Sequence, residues 1–365
     1  MPQRGSGLEL SAVRSADVSE IARWDEFVVA ARDGGDVWRG LDNAKAKETL
    51  GYSIRYLFVG DDAVTVHVKD VPLLGPIWIV PSGPSGATLD EVLPKAKVLA
   101  TYAAEQGAFA LRIDPRLKVD DAVKSRFQAE GYVPAGMFTP NQYTVVLDLS
   151  GTEEEVLAGF SKNARRAIKR AQRDGVVVER VPSTDANCDT MYDMLAATGN
   201  GRFGVRSREY CRFVYRRYAE SGNGQMFFAK IGDEVLACSF EVKIGTKSLG
   251  LQGGSIRKTS GDASVNGLGS HGTGHALQWE VIRWAMEAGA TEYDMCGTPP
   301  SAEADNPDNY FYGIGKFKRT FNKEVTDYTG AYDIPLNGWK TRLWHGGMER
   351  ECKRLSMLVR RRHFL

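Results

Sequence analysis

The chain is poor in cysteine: Cys188, Cys211, Cys238, Cys296 and Cys352 lie far apart, are odd in number and form no Cys-x-x-Cys unit. That argues against a disulfide framework or a thiolate zinc site, and it fits a reducing compartment. Long apolar runs are missing too. Nowhere do about 18 apolar residues follow one another, and no apolar stretch of signal-peptide length follows the polar, glycine-rich Met1 to Gly7, so a soluble, cytoplasmic protein is expected. Charge of one sign is also lacking, with 47 Lys+Arg against 46 Asp+Glu. Any grip on phosphate or nucleic acid must therefore come from a local cluster, not from the field of the whole molecule. A Gly-x-Ser-x-Gly elbow is absent as well, so the sequence advertises no serine nucleophile.

What the chain does contain is an internal echo, and its 365 residues leave room for two domains. Val13 to Asp17, followed by apolar Trp24 to Phe27, resembles Val181 to Asp185, followed by Tyr192 to Leu195. Val59 to Ala63 resembles Ile231 to Val235, and Tyr102 to Ala108 resembles Trp284 to Ala290. The pairs keep their order while their separation lengthens, as loop insertions into a duplicated unit would produce. In the middle pair a Gly-Asp turn joins β-rich runs, 54–59 to 63–68 and 226–231 to 235–242, which predicts two hairpins. In the last pair, apolar residues at helical spacing end at a glycine and lead into a short strand: 93–106 then 110–113, and Leu277 to Gly289 then 292–295. The repeated unit is thus α/β, a mixed and largely antiparallel sheet with helices on its faces.

Between the halves, Phe160 to Arg173 predicts an amphipathic helix. Phe160, Ala164, Ala167, Ile168 and Ala171 share one face, and Lys162, Arg165, Arg166, Lys169, Arg170 and Arg173 cover the rest. Six cations with no acid among them suit a polyanion, although a solvated helix face would look the same. Gly267 to Gly274, opening a helix at His275, has the make-up of an anion-cradling loop, and His271 and His275 have the spacing of a helical metal pair without a convincing third ligand. The tail mixes Leu343, Trp344, Met348, Leu355, Leu358 and Val359 with cations; it reads as a docking helix or as a contact with an anionic membrane.

Four stretches resemble the Fem peptidyltransferases, which build peptidoglycan interpeptide bridges from aminoacyl-tRNA. They are Lys162 to Val178, Thr198 to Tyr210, Leu277 to Asp294, and Gly313 to Lys318 with Phe321. The resemblance implies two tandem GNAT-like domains: 1–150, completed by roughly 325–345, and 151–324, followed by a basic C-terminal helix over 338–365. It implies an aminoacyltransferase that moves an amino acid from aminoacyl-tRNA to the amino group of a muropeptide precursor, nucleotide-linked or lipid-linked, with no cofactor beyond the tRNA co-substrate. A monomer is expected, with peripheral contact at the inner face of the plasma membrane through the tail.

Position by position, Lys318 resembles the family lysine at the reacting ester and Phe317 the aromatic beside the terminal adenosine, with Lys316, Arg165 and Lys169 on the tRNA path. Arg206 and Tyr210 resemble the pair that grips the precursor, and four-residue spacing would place them on one helical face. Lys47 resembles the first-half lysine that binds precursor phosphate; Asn43 stands where the family shows tryptophan, and Lys45 is a rival. Gly313 and Gly315 would let backbone approach a ligand. An activated ester needs no protein nucleophile, but the incoming ammonium needs a proton acceptor: Asp294, Glu280 or a substrate carboxylate or phosphate. The alternatives are aminoacylation of a peptide natural product, an acetyl-CoA-dependent N-acetyltransferase using the Gly267 loop, and an RNA-binding module using the basic helix and the Lys353 to Arg362 run.

Overall fold

A computed structural model describes residues 13–199, 204–255, 271–360 and Phe364, with the side chains of 358–360 left aside. Gly201 to Phe203, Gly267 to Ser270 and Arg361 to Arg362 lie outside the described residues, as does Met1 to Gly7. The chain divides into two compact units, Met1–Thr139 with Tyr328–Leu365, and Pro140–Asp327.

In the first unit, β-branched and aromatic runs alternate with turns and build a sheet in the order Val13–Ser15, Ser53–Val59, Asp62–Val71, Gly75–Val80, Ala110–Ile113, Tyr332–Pro335, Val133–Pro134. Neighbours run antiparallel except Gly75–Val80 and Ala110–Ile113, which are parallel and joined through the helix Leu89–Glu105. A parallel pair needs such a crossover. Leu57, Val66, Trp78, Leu99 and Leu111 form the core on one face; Tyr52, Leu74, Ile79, Phe109 and Trp344 fill the other.

The second unit repeats that plan. Its six strands run Val177–Val181, Gly224–Ile231, Glu234–Ile244, Lys247–Ser255, Glu292–Asp294, Val146–Asp148. Again the fourth and fifth positions are the parallel pair, and the helix Thr273–Glu287 lies between them in the chain. Both expected hairpins are present, Ser53–Val59 with Asp62–Val71 and Gly224–Ile231 with Glu234–Ile244. The basic helix spans Lys162–Arg173, with Ser161 as its N-cap, and buries Ala164, Ile168 and Ala171. It packs on Thr273–Glu287 at Gly272, where φ is +70° and an added Cβ would lie 2.2 Å from the Ala167 carbonyl oxygen.

Boundaries differ from expectation in two places. The first-unit segment ends at Thr139, not 150, because Val146–Asp148 pairs with Glu292–Asp294 and closes the second sheet. The tail is not one basic helix over 338–365: Gly338–Leu343 and Glu349–Arg360 are separated by a break at Gly347 (φ +134°), and both belong to the first unit. Trp344 is fully buried and Met348 packs beside it, so neither is available to a membrane, whereas Leu343 and Leu355 are exposed.

Candidate active site

The helix Tyr312–Lys318 ends at the lysine singled out from sequence. Lys318 donates to the backbone carbonyls of Cys296 and Gly297, each at 2.9 Å. These carbonyls directly follow the strand Glu292–Asp294, at a bend where Cys296 has φ +57°. Burial lowers the Lys318 pKa, and the nearby Cys296, Asp294 and Glu241 work against that shift.

Glu241 was not singled out from sequence. It is buried on the strand Glu234–Ile244, and its Oε2 accepts from the Tyr293 hydroxyl at 2.9 Å, which in turn accepts from Gln278 Nε2 at 2.9 Å. The Ser239 hydroxyl donates to its other oxygen. Burial pushes the Glu241 carboxyl up to about 7 although Ser239, Tyr293 and Lys318 pull it down. Burial and the Glu241 charge hold Tyr293 well above the ordinary phenol value, so it stays a donor. Gly250 makes room for the pair: a Cβ there would stand 3.0 Å from the Tyr293 oxygen and 3.3 Å from Glu241 Oε2. The available signal was a lone acid inside the apolar run from Val235 to Val242.

Like Glu241, the acceptors expected from sequence are engaged. Asp294 accepts from Asn141 at 2.7 Å, from the Thr144 hydroxyl at 2.5 Å and from the Cys296 N–H at 2.7 Å, which fixes the bend. Glu280 pairs with Arg180 and Arg283 at 2.8 and 2.9 Å.

Phe317, next to Lys318, is half-buried and packs 4.9 Å from His275 and 5.3 Å from Phe321, so its ring faces the core. Tyr310 and Phe311 are the exposed aromatics of this segment. Gly315 is small for packing and not for a ligand, since a Cβ would meet Pro299 at 2.5 Å. Lys316 is exposed, 5.9 Å from the Tyr312 ring.

The basic helix adjoins this segment, because the Ser161 N–H donates to the Thr320 carbonyl at 2.8 Å. Lys169 is exposed on it, but Arg165 donates to the carbonyls of Ala158 and Phe160 at 2.5 and 2.7 Å. Arg170 and Arg173 both pair with Asp174 at 3.2 Å, so two of the six cations on this helix are compensated. His271 and His275 are committed to separate partners, Asp174 at 3.3 Å and the Thr320 hydroxyl at 3.3 Å. Among the described residues no group of His, Cys, Asp and Glu has the make-up of a metal site.

Arg206 and Tyr210 do meet, the guanidinium 5.7 Å from the ring, but not on a shared helical face. Arg206 precedes the helix Arg208–Glu220, whose N-cap is Ser207. Lys47 lies in the first unit, with its ammonium 4.6 Å from the Phe138 ring and 5.6 Å from Tyr52. Beside it His67 is fully buried, and burial with the Lys47 charge lowers its pKa far below the ordinary value. The rival Lys45 pairs with Glu48 at 3.0 Å on the surface.

The two similar units make a tandem GNAT-like fold, and the relatives it matches are acyltransferases. The model of the acetyltransferase (GNAT) domain family matches residues 158–312. A crystal structure of FemX superimposes with a TM-score of 0.75 at 19% identity, covering 92% of this chain and 100% of that one. Lipid II:glycine glycyltransferases of Staphylococcus haemolyticus and Staphylococcus aureus (strain USA300) are 22% and 23% identical, each match covering 86% of this chain and 91% of the relative. In sequence the chain is similar to these glycyltransferases, and in fold to FemX.

Proposed function

We propose that this enzyme transfers an amino acid from aminoacyl-tRNA to the amino group of a peptidoglycan precursor, forming an interpeptide bridge residue. The observation that carries the reading is Lys318, clasped by two carbonyls and accompanied by a buried carboxylate, in a chain that aligns over most of its length with lipid II:glycine glycyltransferases. A lysine ammonium has three N–H groups; with two spent on Cys296 and Gly297, the third is directed to the oxyanion formed as the amine attacks the ester.

The charged ester is already activated, so positioning supplies most of the acceleration, about 7–11 kcal/mol for a well-oriented pair. The incoming ammonium passes one proton to Glu241; its nitrogen then bonds to the acyl carbon as the ester C–O bond breaks, and the nitrogen's second proton leaves with the tRNA ribose oxygen. Raising that carboxyl from its ordinary 4.5 to about 7 makes the transfer from an alkylammonium roughly 3 kcal/mol less uphill. Arg206 and Tyr210 hold the precursor, Lys47 its phosphate, and Lys169 and Lys316 the tRNA backbone. Arg165 supports the helix that carries Lys169, and Phe317 supports Lys318 from the core side. The acceptor is the lipid-linked form, met at the inner membrane face by a peripheral, monomeric enzyme.

The test supplies purified protein with tRNA bearing labelled amino acids or with labelled acetyl-CoA, and follows label into lipid-linked and nucleotide-linked muropeptides. RNase-sensitive transfer from tRNA is expected. Transfer from acetyl-CoA alone, or transfer that survives RNase, overturns the reading. Lys318→Ala is expected to slow turnover about 10²–10³-fold while tRNA binding holds.

A further inference from the structure

The turn between Asp62–Val71 and Gly75–Val80 carries an unexpected residue at its tip. Leu73 is 90% exposed and adopts φ +66°, whereas Leu74 beside it is fully buried. Left-handed turn positions ordinarily fall to Gly, Asn or Asp, because a branched or bulky side chain is strained there. An exposed leucine in that conformation gains nothing from the fold that glycine would not provide, so what it contributes must come from outside the fold.

The tip has company. Lys340 donates to the Leu74 carbonyl at 2.8 Å and lies 5.9 Å from the Trp339 ring, which ties the turn to the helix Gly338–Leu343. Trp339 is 56% exposed and Leu343, one helical turn further on, 47%. Arg342, also exposed, lies between them in sequence. Close to the turn in the chain are Asp70, an exposed acid, and Lys69, which donates to the carbonyls of Leu50 and Gly51. A protruding apolar tip, an exposed tryptophan and flanking cations match the layers of an anionic bilayer: acyl chains for Leu73 and Leu343, the headgroup boundary for Trp339, phosphates for Arg342 and Lys340.

We propose that the first unit docks on an anionic phospholipid membrane through Leu73, Trp339 and Leu343, with Lys340 and Arg342 facing the lipid phosphates. The docking surface belongs to one unit and is independent of the role given to Lys318. Full-length protein is sedimented with vesicles of phosphatidylcholine alone and of phosphatidylcholine with phosphatidylglycerol, at low and high salt. Binding to the anionic vesicles, weakened by salt, is expected. Leu73→Asn combined with Trp339→Ala should lower it about ten-fold or more. Asparagine tolerates the left-handed conformation, so the Leu73→Asn variant alone should keep its melting temperature and still bind less.

Wild-type protein that stays in the supernatant with anionic vesicles at low salt overturns the proposal, as does a double variant that binds like wild type. So does a concentration-dependent rise in mass by light scattering that the double variant abolishes, which would make the face a contact between copies. The sedimentation needs no turnover and fails separately from the transferase reading.

Discussion

At the scale of single residues, the site combines two groups whose ordinary charges burial opposes, a lysine pulled down and a glutamate pushed up to about 7. A base is useful only when unprotonated, so transfer should fall as pH drops through about 7, and in Glu241→Gln that acidic limb should vanish along with roughly 10²-fold in turnover. A pH–rate profile with saturating tRNA checks both. Stability moves the other way. A carboxyl whose folded pKa is raised favours the protonated fold, and the stability tied to it is lost as pH rises from about 4.5 to about 7. The melting temperature of Glu241→Gln relative to wild type should therefore be more favourable near pH 8 than near pH 4. Lys318 stands out in the sequence because its motif is local. Glu241 does not, because its partner Tyr293 is remote in sequence and only the pairing of Glu234–Ile244 with Lys247–Ser255, and of Lys247–Ser255 with Glu292–Asp294, gathers them. Asp294 illustrates the converse: an acid at a strand end reads equally as base or turn-former, and its three donors show that it holds the bend.

At the scale of elements, periodicity carried far. The basic helix, both hairpins and the strand Ala110–Ile113 lie where the spacing of apolar residues places them. The helix Leu89–Glu105 begins a full turn before the expected Leu93, with Pro94 inside it; a proline suggests a first turn, but Asp90 and Glu91 already occupy that turn and favour the helix dipole. Cations on one helix also divide by role in a way that sequence spacing conceals. Arg165 satisfies carbonyls at the end of Glu153–Gly159, so Arg165→Ala should cost about 1–2 kcal/mol in chemical denaturation. Lys169→Ala should change stability by less than about 0.5 kcal/mol while weakening tRNA binding and lowering its salt slope by roughly one. Equal stability losses would mean that Arg165 is not a cap. Where the helix meets Thr273–Glu287, Gly272→Ala combines a left-handed φ with a backbone collision and should destabilise by more than about 3 kcal/mol, seen as a lower urea midpoint.

At the scale of the whole molecule, duplication was legible as echoes, yet the way each unit is completed was not. In both sheets the sixth position is taken by a strand from outside the repeated run: Val146–Asp148 precedes its unit's hairpin, and Tyr332–Pro335 returns to the first unit after the entire second one. Such strands are only three and four residues long and carry no pattern of their own. The register of Tyr332–Pro335 is instead marked by charge. Asp333 sits opposite Arg112 across the ladder, and the buried guanidinium donates to both its oxygens at 2.7 and 2.8 Å and to Glu349 at 3.0 Å. Burial opposes ionisation of Asp333 and Glu349, but Arg112, with His345 at Asp333 and Lys353 at Glu349, wins and holds both carboxyls below their ordinary range. Removing one partner from such a set leaves buried charge unmatched, a loss of about 3–5 kcal/mol. Arg112→Met should therefore strip amide-exchange protection from Tyr332–Pro335 and Ala110–Ile113, with Gly224–Ile231 as the internal reference. The same network fixes the direction of acid lability. Depressed carboxyls contribute stability above their unfolded pKa values and lose it as pH falls through the folded ones, so wild-type protection of Tyr332–Pro335 should decay in acid. In Arg112→Met that acid-dependent decay should shrink, and a variant whose strand still lost protection along the wild-type pH curve would show that the closing strand is held by something other than this charge set.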